Sequence, residues 1–290
     1  MKLISSLAEV SDRYDALFCD LWGCLHNGVV AFPEAVAAFQ AFRANGGTVV
    51  LLTNAPRPSS AVIVQLDRLD VPRDAWDLVV SSGDASREAM INGMVGTKVW
   101  HLGPAKDDSF FTDTSDGLDP TVITRVPLDQ AEGIVCTGLF DEENENPEDY
   151  RGQLLLAKTR GLKMICTNPD IVVDMGDKRI WCAGALAQLY KEMGGEVMLF
   201  GKPWPPIYDL ARRKLNAERT VPDEAILCVG DGVVTDVQGG LAEGLDTCFI
   251  TGGLAADQFG PDVMAPDLRL VEAYLAEHQV AATLVIPKLA

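Results

Sequence analysis

No CxxC pair occurs among the seven cysteines, which lie at 19, 24, 136, 166, 182, 228 and 248. An odd number at such spacings excludes a disulfide framework and a cysteine zinc site. Cys19, Cys136, Cys166, Cys228 and Cys248 sit inside apolar runs and read as small buried hydrophobes of a reducing compartment. No apolar stretch approaches the ~18 residues of a membrane span, and Met1-Lys2-Leu3-Ile4-Ser5-Ser6 lacks a signal-peptide core, so a cytoplasmic location is expected. Positive charge is also short: 24 Lys and Arg face 42 Asp and Glu, a net charge of −18. Such a chain repels nucleic acid and anionic membrane surfaces, so neither is expected as a partner. An anionic substrate would need a local cation, from a metal or from particular lysines and arginines. What remains is ordinary for a globular protein, with 48% hydrophobic and 23% charged residues over 290 positions, enough for two domains.

Strand and helix signals alternate from residue 16 to about 92. Ala16-Leu17-Phe18-Cys19 is a short apolar run, and Phe32-Pro33-Glu34 opens a helix with Val36, Phe39 and Phe42 on one face, stopped at Asn45-Gly46. Thr48-Val49-Val50-Leu51-Leu52 suits a strand buried on both faces. Pro58 starts a second helix, and Leu78-Val79-Val80 is a third strand. This β-α-β-α-β order implies a parallel sheet flanked by helices. The pattern resumes after residue 195 with strands expected at 197–200, 225–229 and 247–250 and helices from Pro205 and over 234–241. Between the halves, strands are expected at 99–102, 133–136 and 163–166 and helices over 147–160 and 183–193. The fold expectation is therefore α/β, with residues 1–82 and 195–290 forming a parallel-sheet core and 83–194 an inserted α/β module. The acidic stretch Asp141-Glu142-Glu143-Asn144-Glu145 reads as a solvated loop, and 252–266 as ordinary looping over the core.

Four segments lie at or just after expected strand ends of that core: Asp20-Leu21-Trp22-Gly23, Thr53-Asn54, Gly201-Lys202-Pro203 and Gly230-Asp231-Gly232-Val233-Val234-Thr235-Asp236. Parallel strands bring their C-terminal ends to one crevice, where α/β proteins bind ligands. The four supply a carboxylate, a hydroxyl and amide, a cation and two further carboxylates. Phosphoryl transfer to a carboxylate needs that set, with Mg²⁺ held by hard oxygens.

On these segments the chain resembles the haloacid dehalogenase-like hydrolase superfamily, and more narrowly its type IIA branch of sugar-phosphate and 4-nitrophenyl phosphatases. Cys166-Thr167-Asn168-Pro169-Asp170 and Ala183-Gly184-Ala185 resemble the branch's cap segments. The resemblance implies a Rossmann-like core with a type IIA cap inserted between the second and third motifs. It implies that Asp20 attacks phosphorus, that Thr53 and the Asn54 region bind phosphoryl oxygens, and that Lys202 offsets their charge. It further implies Mg²⁺ bound by Asp20, the backbone carbonyl of Trp22 and Asp231, with Asp236 beside it as a ligand through water or as an orienting partner. Arg57 is a candidate anion contact, and substrate choice should rest on the cap around Asn168 and Asp170. The expected partner is a small phosphorylated metabolite. Caps of this branch commonly mediate dimers, which leaves a homodimer open.

One position departs from the pattern. The family's second aspartate, its general acid and base, is here Trp22, whose indole offers one N–H, no acceptor and no useful titration. Three readings follow: a phosphatase restricted to good leaving groups, a dehalogenase-like hydrolase, or a non-catalytic phosphometabolite-binding or regulatory protein. Retention of Asp231, Asp236 and Lys202 favours phosphate chemistry, and His26 is the nearest titratable alternative to the missing acid, or else an ordinary loop histidine.

Overall fold

The computed structural model describes residues 1–175 and 178–290. Strands β1 (Lys2–Leu3), β2 (Ala16–Cys19), β3 (Thr48–Thr53) and β4 (Leu78–Ser81) come first in the chain. Next are β5 (Lys98–Leu102), β6 (Thr124–Arg125), β7 (Gly133–Cys136), β8 (Lys163–Cys166), β9 (Val172–Met175), β10 (Lys178–Trp181) and β11 (Glu196–Leu199). The last three are β12 (Ile226–Gly230), β13 (Asp246–Ile250) and β14 (Leu284–Ile286). The residues divide into two compact units, one of Met1–Thr53, Gln65–Val80 and Tyr208–Ala290, the other of Asn54–Val64 and Ser81–Ile207.

The first unit is built on a seven-stranded sheet in the order β1-β14-β13-β12-β2-β3-β4. Its central strands β2 and β12 are buried along their whole length, which is why Ala-Leu-Phe-Cys and Ile-Leu-Cys-Val-Gly carry no alternating polar residues. They pair in parallel with Cys19 opposite Val229, and β2 pairs with β3 with Cys19 opposite Leu51. The three strands therefore end within two residues of one another, β12 running one residue and β3 two residues past the end of β2. The helix Pro33–Ala44 forms as expected, with proline at its start, and buries Ala35, Ala38, Phe39 and Phe42. The expected helix over 234–241 instead begins as a π-turn, Val233–Val237, before the α-helix Gln238–Ala242.

The second unit has its own five-stranded parallel sheet, in the order β11-β8-β7-β5-β6. Leu102, Ile134, Cys136, Met164 and Cys166 pack there with Leu154, Leu186 and Tyr190 from the helices Arg151–Thr159 and Ala183–Glu192. An antiparallel hairpin, β9 with β10, is an addition that residue periodicity did not announce. One expectation is corrected. The run at 197–200 was to resume the first sheet, but β11 pairs with β8, Glu196 opposite Lys163 and Leu199 opposite Cys166. It is an edge strand with half-buried side chains, and an apolar run signals a strand without saying which sheet it joins. All seven cysteines are buried, and none is in a disulfide. No helix among the described residues is long and apolar enough to cross a membrane.

The helix Ala183–Glu192 rests directly on the turn Asn168–Asp170. A Cβ at Gly184 would collide with the main-chain carbonyls of Pro169 and Asp170, which cannot rotate away as a side chain could. Gly184→Ala should therefore destabilise the protein by about 1–3 kcal/mol, the usual range for overpacking, read as a lower urea midpoint at unchanged slope.

Candidate active site

The neighbouring ends of β2, β3 and β12 put Asp20, Thr53 and Asp231 on one edge of the first sheet. The Asp20 amide donates to the Val229 carbonyl at 2.9 Å, so the pairing of β2 and β12 continues into the site. Side-chain ligand atoms of Asp20, Cys24 and Asp231 all lie within 4.8 Å of one another. Asp231 is buried, and its Oδ2 accepts from the Leu254 amide at 2.8 Å. It fits because two glycines press against it: a Cβ at Gly23, whose φ is +74°, or at Gly253 would overlap the carboxylate. Gly253 and Leu254 belong to the segment expected to be plain looping. Gly252-Gly253 just past the end of β13 was the signal available for them.

Asp236 is placed differently. Its Oδ2 accepts from the Gly232 amide at 3.1 Å and the Thr235 hydroxyl at 3.2 Å, within the π-turn. It stands outside the trio of Asp20, Cys24 and Asp231 and braces the loop that carries Asp231. Interruptions of this kind in helices recur at functional sites because they re-aim a residue. Cys24 is the neighbour that the sequence did not nominate. Its Sγ lies 4.0 Å from Asp231 Oδ1, and burial, reinforced by Asp231 and Asp20, pushes the thiol well above its usual range.

Trp22 is half-buried and folds back on its own loop. Its ring meets His26 edge-on at a centroid distance of 5.2 Å and covers Gly28, where a Cβ would strike the indole. His26 is fully buried rather than a surface histidine. Its Nδ1 accepts from the Gly28 amide at 3.1 Å, and Nε2, which then carries the proton, has no hydrogen-bond partner. Burial lowers its pKa to about 4, so the ring is neutral and closed to proton exchange with a leaving group at neutral pH.

The remaining candidates lie in the second unit. Lys202 is buried just past the end of β11, on the second sheet rather than the first. Asn54 holds it by the main chain: Asn54 Oδ1 accepts from the Lys202 amide at 2.7 Å, and Asn54 Nδ2 donates to the Lys202 carbonyl at 3.2 Å. Asn54 Nδ2 also donates to Asp170 Oδ1 at 2.8 Å, and the Asp170 amide donates to Asn168 Oδ1 at 3.0 Å. The Asn54 amide is thus committed to ordering Lys202 and Asp170, which leaves its main chain for any anion. The structure brings Asp20 and Asp231 together in one unit, with Asp236 bracing Asp231, and Asn54, Lys202, Asn168 and Asp170 together in the other. Arg57 is turned to a different partner, Asp107, 3.8 Å from its Nε.

The model of the haloacid dehalogenase-like hydrolase family matches residues 17–114, and a second model, HAD-hydrolase-like, matches 199–272. A solved haloacid dehalogenase-like hydrolase from Brucella suis is 40% identical, with a TM-score of 0.86 over 99% of this chain and 100% of that one. The chain belongs to the haloacid dehalogenase-like hydrolase family. Its fold is that of the type IIA branch, an α/β core with a cap domain. The dihydroxyacetone phosphatase of Corynebacterium glutamicum is 32% identical over 98 residues, 33% of this chain and 34% of that protein. The acid sugar phosphatase of Staphylococcus haemolyticus is 27% identical over 176 residues, 59% of this chain and 64% of that protein. In both cases the match spans less than two thirds of the relative's length.

The buried state of His26 has a measurable consequence. With a folded pKa near 4 against an unfolded value of about 6.5, its contribution to stability is full above the unfolded value and is lost as pH falls from there toward 4. Imidazole NMR signals of His26 should show no titration between pH 5 and 8 (roughly the range in which ordinary histidines titrate). A midpoint near 6.5 would contradict the burial argument.

Proposed function

We propose that this hydrolase is a Mg²⁺-dependent phosphatase of small phosphorylated metabolites that favours esters with good leaving groups. The observation that carries the reading is the pairing of Asp20 with Asp231 at the ends of neighbouring strands, with ligand atoms inside 4.8 Å. The donor set fits a hard divalent cation: two carboxylates, with the Trp22 carbonyl on the same loop and a neutral thiol in place of a thiolate. Asp20, Asp231 and the Trp22 carbonyl would hold the ion, with Asp236 acting through Asp231's loop. Bound there, Mg²⁺ would supply positive charge against the phosphoryl group and the attacking carboxylate.

The chain's own residues do the rest. Asp20 attacks phosphorus, the bond to the leaving oxygen breaks, and an aspartyl-phosphate forms. Water then attacks that phosphorus, returning the Asp20 carboxylate and releasing phosphate. Thr53 and the main chain of Asn54 bind phosphoryl oxygens, and Lys202 neutralises charge. Substrate choice rests on the second unit, the cap, through Arg57, Asn168 and Asp170. The phosphatase relatives support this class of substrate.

Trp22 sets the limit on the chemistry. With no proton donor at this position and His26 locked neutral beneath the indole, the leaving oxygen departs as an anion. Positioned acid catalysis is ordinarily worth ~10²–10⁴-fold, so that factor is missing for alkoxide leaving groups and matters little for 4-nitrophenolate. The same feature favours a second reading, phosphometabolite binding without turnover.

Phosphate release from 4-nitrophenyl phosphate should require Mg²⁺, stop with a chelator and vanish in Asp20→Asn. It should exceed release from a simple alkyl phosphate by at least ~10²-fold. Trp22→Asp should narrow that gap by raising the alkyl phosphate rate. Ester binding without turnover would establish the second reading, and metal-independent halide release would move the protein to dehalogenase chemistry.

A further inference from the structure

The second sheet has an edge of its own that the proposed chemistry does not use up. Leu102, Cys136, Cys166 and Leu199 stand level across neighbouring strands β5, β7, β8 and β11. The residues that follow these strand ends therefore line one edge: Asp107 after β5, Thr137 after β7, Asn168 and Asp170 after β8, and Lys202 after β11. The loop 54–57 runs along it. Asn54 binds Lys202 and Asp170 near one end, and Arg57 pairs with Asp107 at the other. The loop's path is fixed by the helix Ser82–Ile91, since the Gly83 amide donates to the Ala55 carbonyl at 3.0 Å.

Asp107 is an anomaly on this edge. Its side chain is 0% exposed, and neither carboxylate oxygen accepts a hydrogen bond of good geometry; the Thr137 hydroxyl stabilises its charge only weakly. Asp84, on the neighbouring helix, shows what a structural carboxylate looks like in this unit: it caps the helix and accepts from the Ser59 amide at 2.8 Å. Asp107 caps nothing by its side chain. A buried carboxylate so poorly supplied with donors costs stability, and one ion pair at 3.8 Å offsets that only in part. The Arg57 side chain is 27% exposed, so it is the pair's outward member. A fixed guanidinium at one end of this edge, with the carboxylate and amide groups of Asp170 and Asn168 farther along it, gives the edge both donors and acceptors. That mixture suits hydroxyl groups, which are both at once.

We propose that Asp107 is a positioning residue whose buried carboxylate orients Arg57 to recognise the hydroxyl-bearing organic part of a sugar or polyol phosphate. The inference rests on the phosphatase reading for the identity of the phosphate ester, and on the second unit alone for its geometry. Burial pushes the Asp107 carboxyl up to about 6 from its ordinary 3.8, with Arg57, Lys106 and the Thr137 hydroxyl opposing the rise and Glu142 adding to it. The groups facing it are Arg57 from the loop 54–57, Lys106 on its own turn, Glu142 from the loop after β7, and the Thr137 hydroxyl. That hydroxyl is in turn bonded to His101 Nε2 at 2.9 Å. Lys106 and Glu142 pair with each other. Burial also holds His101 neutral, with a pKa of about 4. A raised carboxyl pKa means stability is gained as pH falls through 6 toward 4, and affinity through Arg57 is lost over the same window as its partner is neutralised.

The test uses full-length protein and a panel of triose to hexose phosphates, with 4-nitrophenyl phosphate and inorganic phosphate as probes lacking hydroxylated carbon. In Asp107→Asn, KM for the preferred sugar phosphate should rise by about 10-fold relative to KM for 4-nitrophenyl phosphate, with a smaller change in kcat. The inflection of KM near pH 6 should disappear. Arg57→Gln should give the same rise, and the double variant no more than either alone, because Asp107 acts through Arg57. Asp107→Leu should match or exceed the wild-type melting temperature while showing the KM defect, since the charge it leaves behind, Arg57, reaches solvent. Calorimetric binding of the sugar phosphate to Asp20→Asn, with and without Asp107→Asn, supplies a readout independent of turnover. An Asp107-dependent affinity without any turnover would sink the phosphatase reading and keep this one. Turnover of sugar phosphates with unchanged KM in Asp107→Asn would do the reverse. Additive defects in the double variant, or a wild-type protein that binds no sugar phosphate better than inorganic phosphate, would overturn the role of Asp107.

Discussion

Two carboxylates held within 4.8 Å in a chain of net charge −18 are the constraint around which the first unit is arranged. At an effective dielectric of about 20, like charges ~4–5 Å apart repel by ~3–4 kcal/mol, a large fraction of a domain's stability. Asp20 and Asp231 cannot relieve this by moving apart, because each follows a strand hydrogen-bonded to the other's strand. The protein instead surrounds Asp231 with main chain. Glycines at 23 and 253 let the backbone approach, and the Leu254 amide bonds the carboxylate directly. Such an arrangement is acidic and held by the main chain, a pair of carboxylates that could hold a metal ion.

The second unit solves a related problem with opposite means. Its cation, Lys202, is buried and fixed by a side-chain amide bonded to both its main-chain N–H and its C=O. The asparagine that does so follows immediately after Thr53 at the end of β3. The loop that Asn54 opens continues to Arg57.

Much of this was legible in the residues. Asp20, Thr53 and Asp231 were readable because buried parallel strands have no polar residues until they end, so the first polar residue after each run marks the edge. The glycine after β2 and those around Asp231 were readable for the same reason. What escaped was any fact that depends on which sheet a run joins. The strand Glu196–Leu199 has the apolar character of a core strand, and nothing in four residues distinguishes pairing with β8 from pairing with β12. Cys24 and Leu254 escaped because their contributions, proximity and a main-chain N–H, leave no mark on residue type. His26 was visible as a titratable group, but its burial under Trp22 comes from a turn geometry that no pattern encodes. Asp107 was hidden by its neighbour: Lys106-Asp107-Asp108 looks like a solvated charge run, and only the middle residue points inward.

The order of the first sheet also bears on how the chain is made. Strand β12 lies between β2 and β13, yet it is synthesised some 200 residues after β2. At ~5–20 residues per second, the inner edge of β2 stays open on the ribosome for on the order of 10–40 s. By its end the second unit, whose last residue is Ile207, is complete in sequence. For that interval the half-sheet of Ala16–Thr53 presents an unpaired strand edge, the kind of surface on which chains pair wrongly.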